Sequence, residues 1–185
     1  MTELQIITGP MFSGKSEELL RRLSRYPFRP VPPEVFLFKP ITDSRGEEEL
    51  VSSHSGSSMS CVPVKNVFDI SQYLQSLDGT VYDPIIGIDE GQFLNGIKEL
   101  YLDLCNFYDD ATLIIAGLNR DYQGRPFPAM ERLFSYADKI DILEAICRNC
   151  GHMATETYRV SKGTDLIEID TGDNYEARCK ECHAK

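Results

Sequence analysis

Unbroken apolar runs and helically spaced ones take turns along the first three quarters of the chain. The run Leu4–Thr8, "LQIIT", is too short for a helix and too uniformly apolar for a half-exposed strand. It predicts a buried strand entering a turn at Gly9. Between Lys15 and Arg25 the pattern changes: Leu19, Leu20 and Leu23 recur at helical spacing among charged residues, predicting an amphipathic helix. The four prolines of "RYPFRPVPPEV" end it. "VFLFK", "DPIIGID" and "ATLIIAGL" read as further central strands, while "VFDISQYLQSL" and "GIKELYLDLCNFY" carry helical periodicity. Residues 42–60, polar and rich in serine and glycine, read as a mobile loop and a candidate lid.

This alternation predicts an α/β domain with a mainly parallel sheet over residues 1–143. Residues 144–185 follow another pattern, in which cysteines, turn residues and short β-like runs ("TETYRV", "LIEID") replace helical spacing. They predict a small metal-stapled β module.

Composition narrows the field. The 185 residues are 42% hydrophobic and 26% charged, enough for a genuine core. The formal charge of −10 repels duplex phosphates, so extended nucleic-acid binding is not expected. The first residues, "MTELQIITG", carry no basic or signal-length apolar stretch, and no later run reaches membrane-spanning length. A cytoplasmic protein without a membrane partner is expected, in which six cysteines serve as thiols or metal ligands more readily than as disulfides.

Gly9, Gly14, Lys15 and Ser16 satisfy the P-loop spacing G-x-x-x-x-G-K-[ST], between a predicted strand and a predicted helix. There the glycines let backbone amides face phosphate oxygens, Lys15 offers a charge to the β and γ phosphates, and Ser16 can ligate magnesium. Asp89, ending a buried strand, suits magnesium or its water. Glu90 beside it can take a proton from an attacking hydroxyl or water; the bland alternative is that both acids solvate a turn. Cys147, Cys150, Cys179 and Cys182 form two C-x-x-C pairs, enough thiolates for a tetrahedral structural zinc site. His152 and His183 are second-choice ligands; Cys61 and Cys105 read as ordinary residues, Cys105 on the apolar side of its helix.

Taken together and in order, "GPMFSGKS", "DSR", "IDEGQF", "AGLNRDYQGRPF", the first cysteine pair, "TYR", "GDNY" and the second pair make nearly the whole chain similar to the type II (cytosolic) thymidine kinases. The resemblance implies a RecA-like P-loop fold whose C-terminal zinc-binding module carries a lasso loop. It implies transfer of the ATP γ-phosphate to the 5′-hydroxyl of thymidine, and of deoxyuridine, in pyrimidine salvage. Residue by residue, Gly9, Pro10, Met11, Phe12, Ser13, Gly14, Lys15 and Ser16 would hold the donor phosphates, and Asp89 would serve magnesium. Glu90 would be the base, and Gln92 would belong to the same nucleotide-binding segment. Asp43 and Arg45 of "DSR" would lie beside the phosphates, Arg45 stabilising the transferring group. Met11, Phe93, Leu118, Tyr122 and Thr157 would enclose the thymine ring, with Arg159 near the sugar and Tyr175 in the lasso. The family habit of homotetramers and of feedback by dTTP is implied too.

Three positions depart from the family pattern: Glu17 after the P-loop serine, Asn119 where an aspartate is usual, and the proline-rich turn after the first helix. Two other functions compete: a P-loop ATPase whose zinc module binds a macromolecule, and a noncatalytic nucleotide sensor.

Overall fold

The computed structural model describes residues 1–41, 49–53, 56–77, 81–161 and 174–185. Its elements run β1 (Glu3–Thr8), α1 (Lys15–Leu23), β2 (Val35–Pro40), β3 (Leu50–Ser52), β4 (Ser58–Ser60), β5 (Val62–Val64), α2 (Val67–Gln75), β6 (Ile85–Ile88), α3 (Ile97–Phe107) and β7 (Thr112–Gly117). After these come α4 (Pro128–Glu131), β8 (Lys139–Ile142), β9 (Ala145–Ile146), β10 (Met153–Ala154), β11 (Glu156–Arg159), β12 (Tyr175–Arg178) and α5 (Lys180–His183).

Six strands form one sheet in the order β5-β2-β6-β7-β1-β8, and every pairing in it is parallel. Parallel strands need helices on both faces, and the apolar runs supply them by alternation. Ile7, Leu37, Ile85 and Ile114 point to one face and pack with Leu19, Leu20 and Leu23 of α1. Their neighbours Ile6, Phe38, Ile86, Leu113 and Ile115 point to the other, against Ile70 and Leu74 of α2 and Ile97, Leu100 and Leu104 of α3. Fully burying such a side chain stabilises by about 1.5–3 kcal/mol, so the two layers dominate the fold's stability. Gly87 lets α1 approach the sheet: a Cβ there would stand 2.6 Å from Leu23 Cδ1.

The polar stretch 42–60 is not wholly a loop. Leu50–Ser52 and Ser58–Ser60 pair as an antiparallel hairpin, because Val51 has an apolar seat against the α1 layer and is 1% exposed. Cys61, just after it, is buried in that layer. Asp43 and Arg45 lie outside the described residues, as does "LIEID". Helix α1 closes at Leu23, and a 3-10 turn at Tyr26–Phe28 carries the chain into the proline segment. Cys105 is exposed: α3 turns Ile97, Leu100 and Leu104 inward, which leaves position 105 outside.

Past β8 the helical layers stop. β9 pairs with β10 and β11 with β12, both antiparallel, around a small core of Ala145, Cys147, Ala154, Ala177 and Cys182. So small a core needs a staple to stand.

Candidate active site

Parallel strands deliver their C-terminal ends to one edge of the sheet, and the singled-out residues gather there. β1 ends at Thr8, whose hydroxyl donates to Gly117 O of β7 at 2.9 Å. The chain then bends at Gly9, with φ +150 and Leu143 O 2.3 Å from where a Cβ would sit. Within the P-loop, Ser13 Oγ and Lys15 Nζ donate to Pro10 O at 2.8 and 2.7 Å, and Phe12 takes φ 63. The Lys15 ammonium is thus curled over the loop that would meet the phosphates. Glu17 is exposed on α1, outside that loop.

Ser16 Oγ donates to Asp89 Oδ1 at 3.0 Å, tying the P-loop to the end of β6. Asp89 is 5% exposed. Burial, then the charge of Glu90, push its carboxyl up to about 7 against the opposing Ser16 hydrogen bond. A carboxylate this desolvated keeps its charge only beside a cation, which is the environment of a magnesium ligand.

Glu90 faces elsewhere. Its backbone takes the left-handed conformation, φ 53 and ψ 39, so consecutive acids serve two sides of the strand end. Gln92 Nε2 donates to Glu90 Oε2 at 2.5 Å, while Gln92 Oε1 accepts from the Leu118 N–H at 2.9 Å. The side chain of Gln92, 6% exposed, therefore holds Glu90 to the end of β7. Gln92, expected in the same nucleotide-binding segment as Glu90, thus links that acid to the Leu118 N–H.

Leu118, Phe93 and Tyr122 are each partly buried, and Phe93 packs edge-on against Phe127 at 6.3 Å. Asn119 O accepts from Phe127 N at 3.1 Å, closing the segment that carries Tyr122. Arg159, opposite Tyr175 in the β11–β12 pair, lays its guanidinium 5.2 Å over the Tyr122 ring. Thr157 Oγ1 accepts from the Met11 N–H of the P-loop at 3.0 Å. The P-loop, the β7 end and the C-terminal module thus meet around one edge.

The four cysteine sulfurs of Cys147, Cys150, Cys179 and Cys182 lie within 4.8 Å of one another, and Cys150 Sγ is 3.6 Å from Cys179 Sγ. Sulfurs at about 2.3 Å from a tetrahedral zinc would be spaced near 3.8 Å, so the cluster fits that ion. Backbone N–H groups of Cys179, then of Cys150 and Asn149, lower the Cys147 thiol to about 6 despite desolvation. Asn149 Nδ2 adds a donor to Cys182 Sγ at 3.2 Å. His152 Nδ1 stands 3.4 Å from Cys150 Sγ as a polar neighbour. His183 is turned from the cluster: its Nε2 lies 3.0 Å from Tyr122 O and 3.2 Å from Thr157 O, so it joins the module to the Tyr122 wall.

Two residues escaped the sequence reading. His183 reads in the sequence as a second-choice metal ligand, and its bridging role depends on a fold that brings positions 122, 157 and 183 together. Lys39 reads as the end of an apolar strand, yet it is 7% exposed on the face of β2 shared with Leu37, which is the face of α1. Asp89 N donates to Phe38 O at 3.0 Å, which sets that lysine's backbone beside the buried acid. A lysine near the end of an otherwise apolar strand is the available signal.

No helix among the described residues is long and apolar enough to cross a membrane. The thymidine kinase family model matches residues 2–183. A thymidine kinase of Mesoplasma florum is 34% identical over 188 aligned positions, covering 97% of this chain and 90% of that relative. With the P-loop, the acid pair and the cysteine cluster in one arrangement, and matches that span nearly its whole length, the chain belongs to the thymidine kinase family.

Proposed function

We propose that the chain transfers the γ-phosphoryl group of ATP to the 5′-hydroxyl of thymidine, giving the monophosphate. The single observation that carries the reading is the division of labour at the end of β6. Asp89 points inward to Ser16 of the P-loop, while the left-handed turn at Glu90 sends the next carboxylate to Gln92 and the Leu118 wall. One acid sits with the phosphate cradle and the other with the nucleoside wall.

In this reading the amides of Gly9 to Ser16 and the Lys15 ammonium bind the β and γ phosphates. Ser16 and Asp89 are the residues that would hold magnesium, which when bound neutralises phosphate charge. Glu90 accepts the 5′-hydroxyl proton as the new O–P bond forms, the bond to the bridging oxygen breaks, and ADP departs with the electron pair. Phe93, Leu118, Tyr122 and Thr157 flank the base, Arg159 and Tyr175 lie toward the sugar, and Met11 joins the two ligands' sides. Arg45, with Asp43, adds charge stabilisation from the segment outside the described residues. Zinc held by Cys147, Cys150, Cys179 and Cys182 supplies a structural crosslink for the 144–185 module. Deoxyuridine as a second substrate, a homotetramer, dTTP feedback and a cytoplasmic setting belong to the same proposal.

The macromolecule-binding ATPase and the sensor are less favoured, because the family model that matches residues 2–183 and the 34% identical relative are both thymidine kinases. A panel of nucleosides with labelled ATP tests the reading. Label should appear in thymidine monophosphate; thymidine-independent ATP hydrolysis stimulated by nucleic acid would contradict it.

A further inference from the structure

The charge of −10 is unevenly spread. At the C-terminal end of α1, away from the P-loop, a surface cavity of about 310 Å³ is lined by Arg21, Arg22, Arg25, Arg29 and Lys139, with Gln5 and Tyr26. Among the described residues, the carboxylates paired with these five cations are Glu18 and Asp141. Among the described residues that leaves a net excess of three positive charges at one spot of an acidic chain, with Arg25 and Arg29 the two cations that make no ion pair there. That excess calls for an anion.

The cavity is held in shape from below and from one side. Arg22, whose side chain is 10% exposed, bonds Glu18 at 2.8 Å, Gln5 at 2.9 Å and Asp141 at 2.7 Å, which joins α1 to β1 and β8. The unusual proline-rich turn supplies the side: Arg29 lies 4.6 Å over the Tyr26 ring, in a 3-10 turn opened by Pro27. Arg25 and Arg29 are exposed, so their guanidinium forks can reach a ligand. Proline and stacking cut the rotamer freedom lost on binding.

The helix end itself works against an anion, with a partial charge of about −0.5, but three whole positive charges outweigh it. Guanidinium forks match the oxygen spacing of phosphate groups. A pyrophosphate group carries about three negative charges near neutral pH, which equals the excess. The nine residues of α1, at about 1.5 Å each, separate the cavity from the P-loop by about 13 Å, so one small ligand does not serve both.

We propose that this cavity is a second phosphate site, distinct from the P-loop, that takes a small diphosphate-bearing anion through Arg25 and Arg29, with Arg21 and Lys139, each already paired to a carboxylate, adding positive charge at its rim. The claim stands independently of the acceptor that the active site phosphorylates. It is tested by calorimetric titration of pyrophosphate into the full zinc-loaded chain carrying Lys15→Ala and Ser16→Ala, which disable the P-loop, with sulfate as a control anion. One pyrophosphate should bind at submillimolar concentration in low salt, more tightly than sulfate. Adding Arg25→Ala and Arg29→Ala should weaken it at least tenfold, with circular dichroism and the melting temperature unchanged since both side chains are exposed. A partial loss with Arg25→Ala alone would support the same site. Absent binding, binding equal to that of sulfate, or equal binding to the double-arginine variant overturns the proposal. So does a change of oligomeric mass in that variant with pyrophosphate binding intact, which would make the cavity a face between copies.

Discussion

The side-chain amide of Gln92 donates to Oε2 of Glu90 at 2.5 Å. Because the other end of that amide is fixed by the Leu118 N–H, the acid's direction depends on a residue that need not touch phosphate. Replacing Gln92 by Leu should leave ATP affinity within a few fold and lower kcat about ten- to a hundredfold, a part of what a general base contributes. Gln92→Glu should do more harm, by setting like charge against Glu90. Steady-state kinetics with thymidine and ATP varied separately will separate kcat from KM; a loss confined to KM for ATP would mark Gln92 as a nucleotide ligand instead.

Gly9→Ala should be among the most damaging single-methyl changes in the protein. The backbone there is at φ +150, and the added Cβ would press on Leu143 O and, at 2.9 Å, on Ser13 Oγ. A cost of about 2 kcal/mol or more is expected, seen as a melting temperature lower by several degrees together with weakened nucleotide binding.

The cysteine module should stand or fall with its metal. Cys147→Ser, or a strong chelator, should remove bound zinc and release His183 from the Tyr122 and Thr157 carbonyls. Metal analysis and amide hydrogen exchange read this directly: protection should drop in β9 to β12, while the β1–β7 ladder keeps its protection. Full protection of β11 and β12 in metal-free protein would contradict the staple.

Acid should loosen the seam between α1 and β8. The Arg21 hydrogen bond, then those of Arg22, hold Glu18 at about 2, and Arg22 holds Asp141 below the usual carboxylate range. A lowered carboxyl pKa adds stability that is present above its unfolded value, near 4.5 for Glu18 and 3.8 for Asp141, and is lost as pH falls toward 2. Denaturant melts at stepped pH should therefore fall away below about pH 4.5, with a shallower fall in Glu18→Gln. At pH 7 that variant should be weaker by about 1 kcal/mol, since the pair is partly solvated.

What the chain discloses on reading follows a physical line. β1, β2, β6 and β7 are legible because a strand covered on both faces must be apolar throughout, and the P-loop and cysteine pairs because their chemistry fixes spacing within a few residues. β8 is not, since it is a four-residue strand at the sheet's edge in which Lys139 and Asp141, the latter paired with Arg22, alternate with Ile140 and Ile142 that are themselves exposed. The β3–β4 hairpin hides behind serines because a single valine, Val51, anchors it. The ties made by Gln92 and His183 join positions 26 to 61 residues apart, so only the folded arrangement reveals them.

The central claim is that Glu90 takes the proton of the acceptor hydroxyl. Its most direct test is transfer of label from γ-labelled ATP to thymidine by wild type and by Glu90→Gln, with ATP binding measured on both. Wild type should label the monophosphate, and Glu90→Gln should fall about 10²- to 10⁴-fold while binding ATP within a few fold of wild type. Near wild-type transfer by Glu90→Gln would contradict the account.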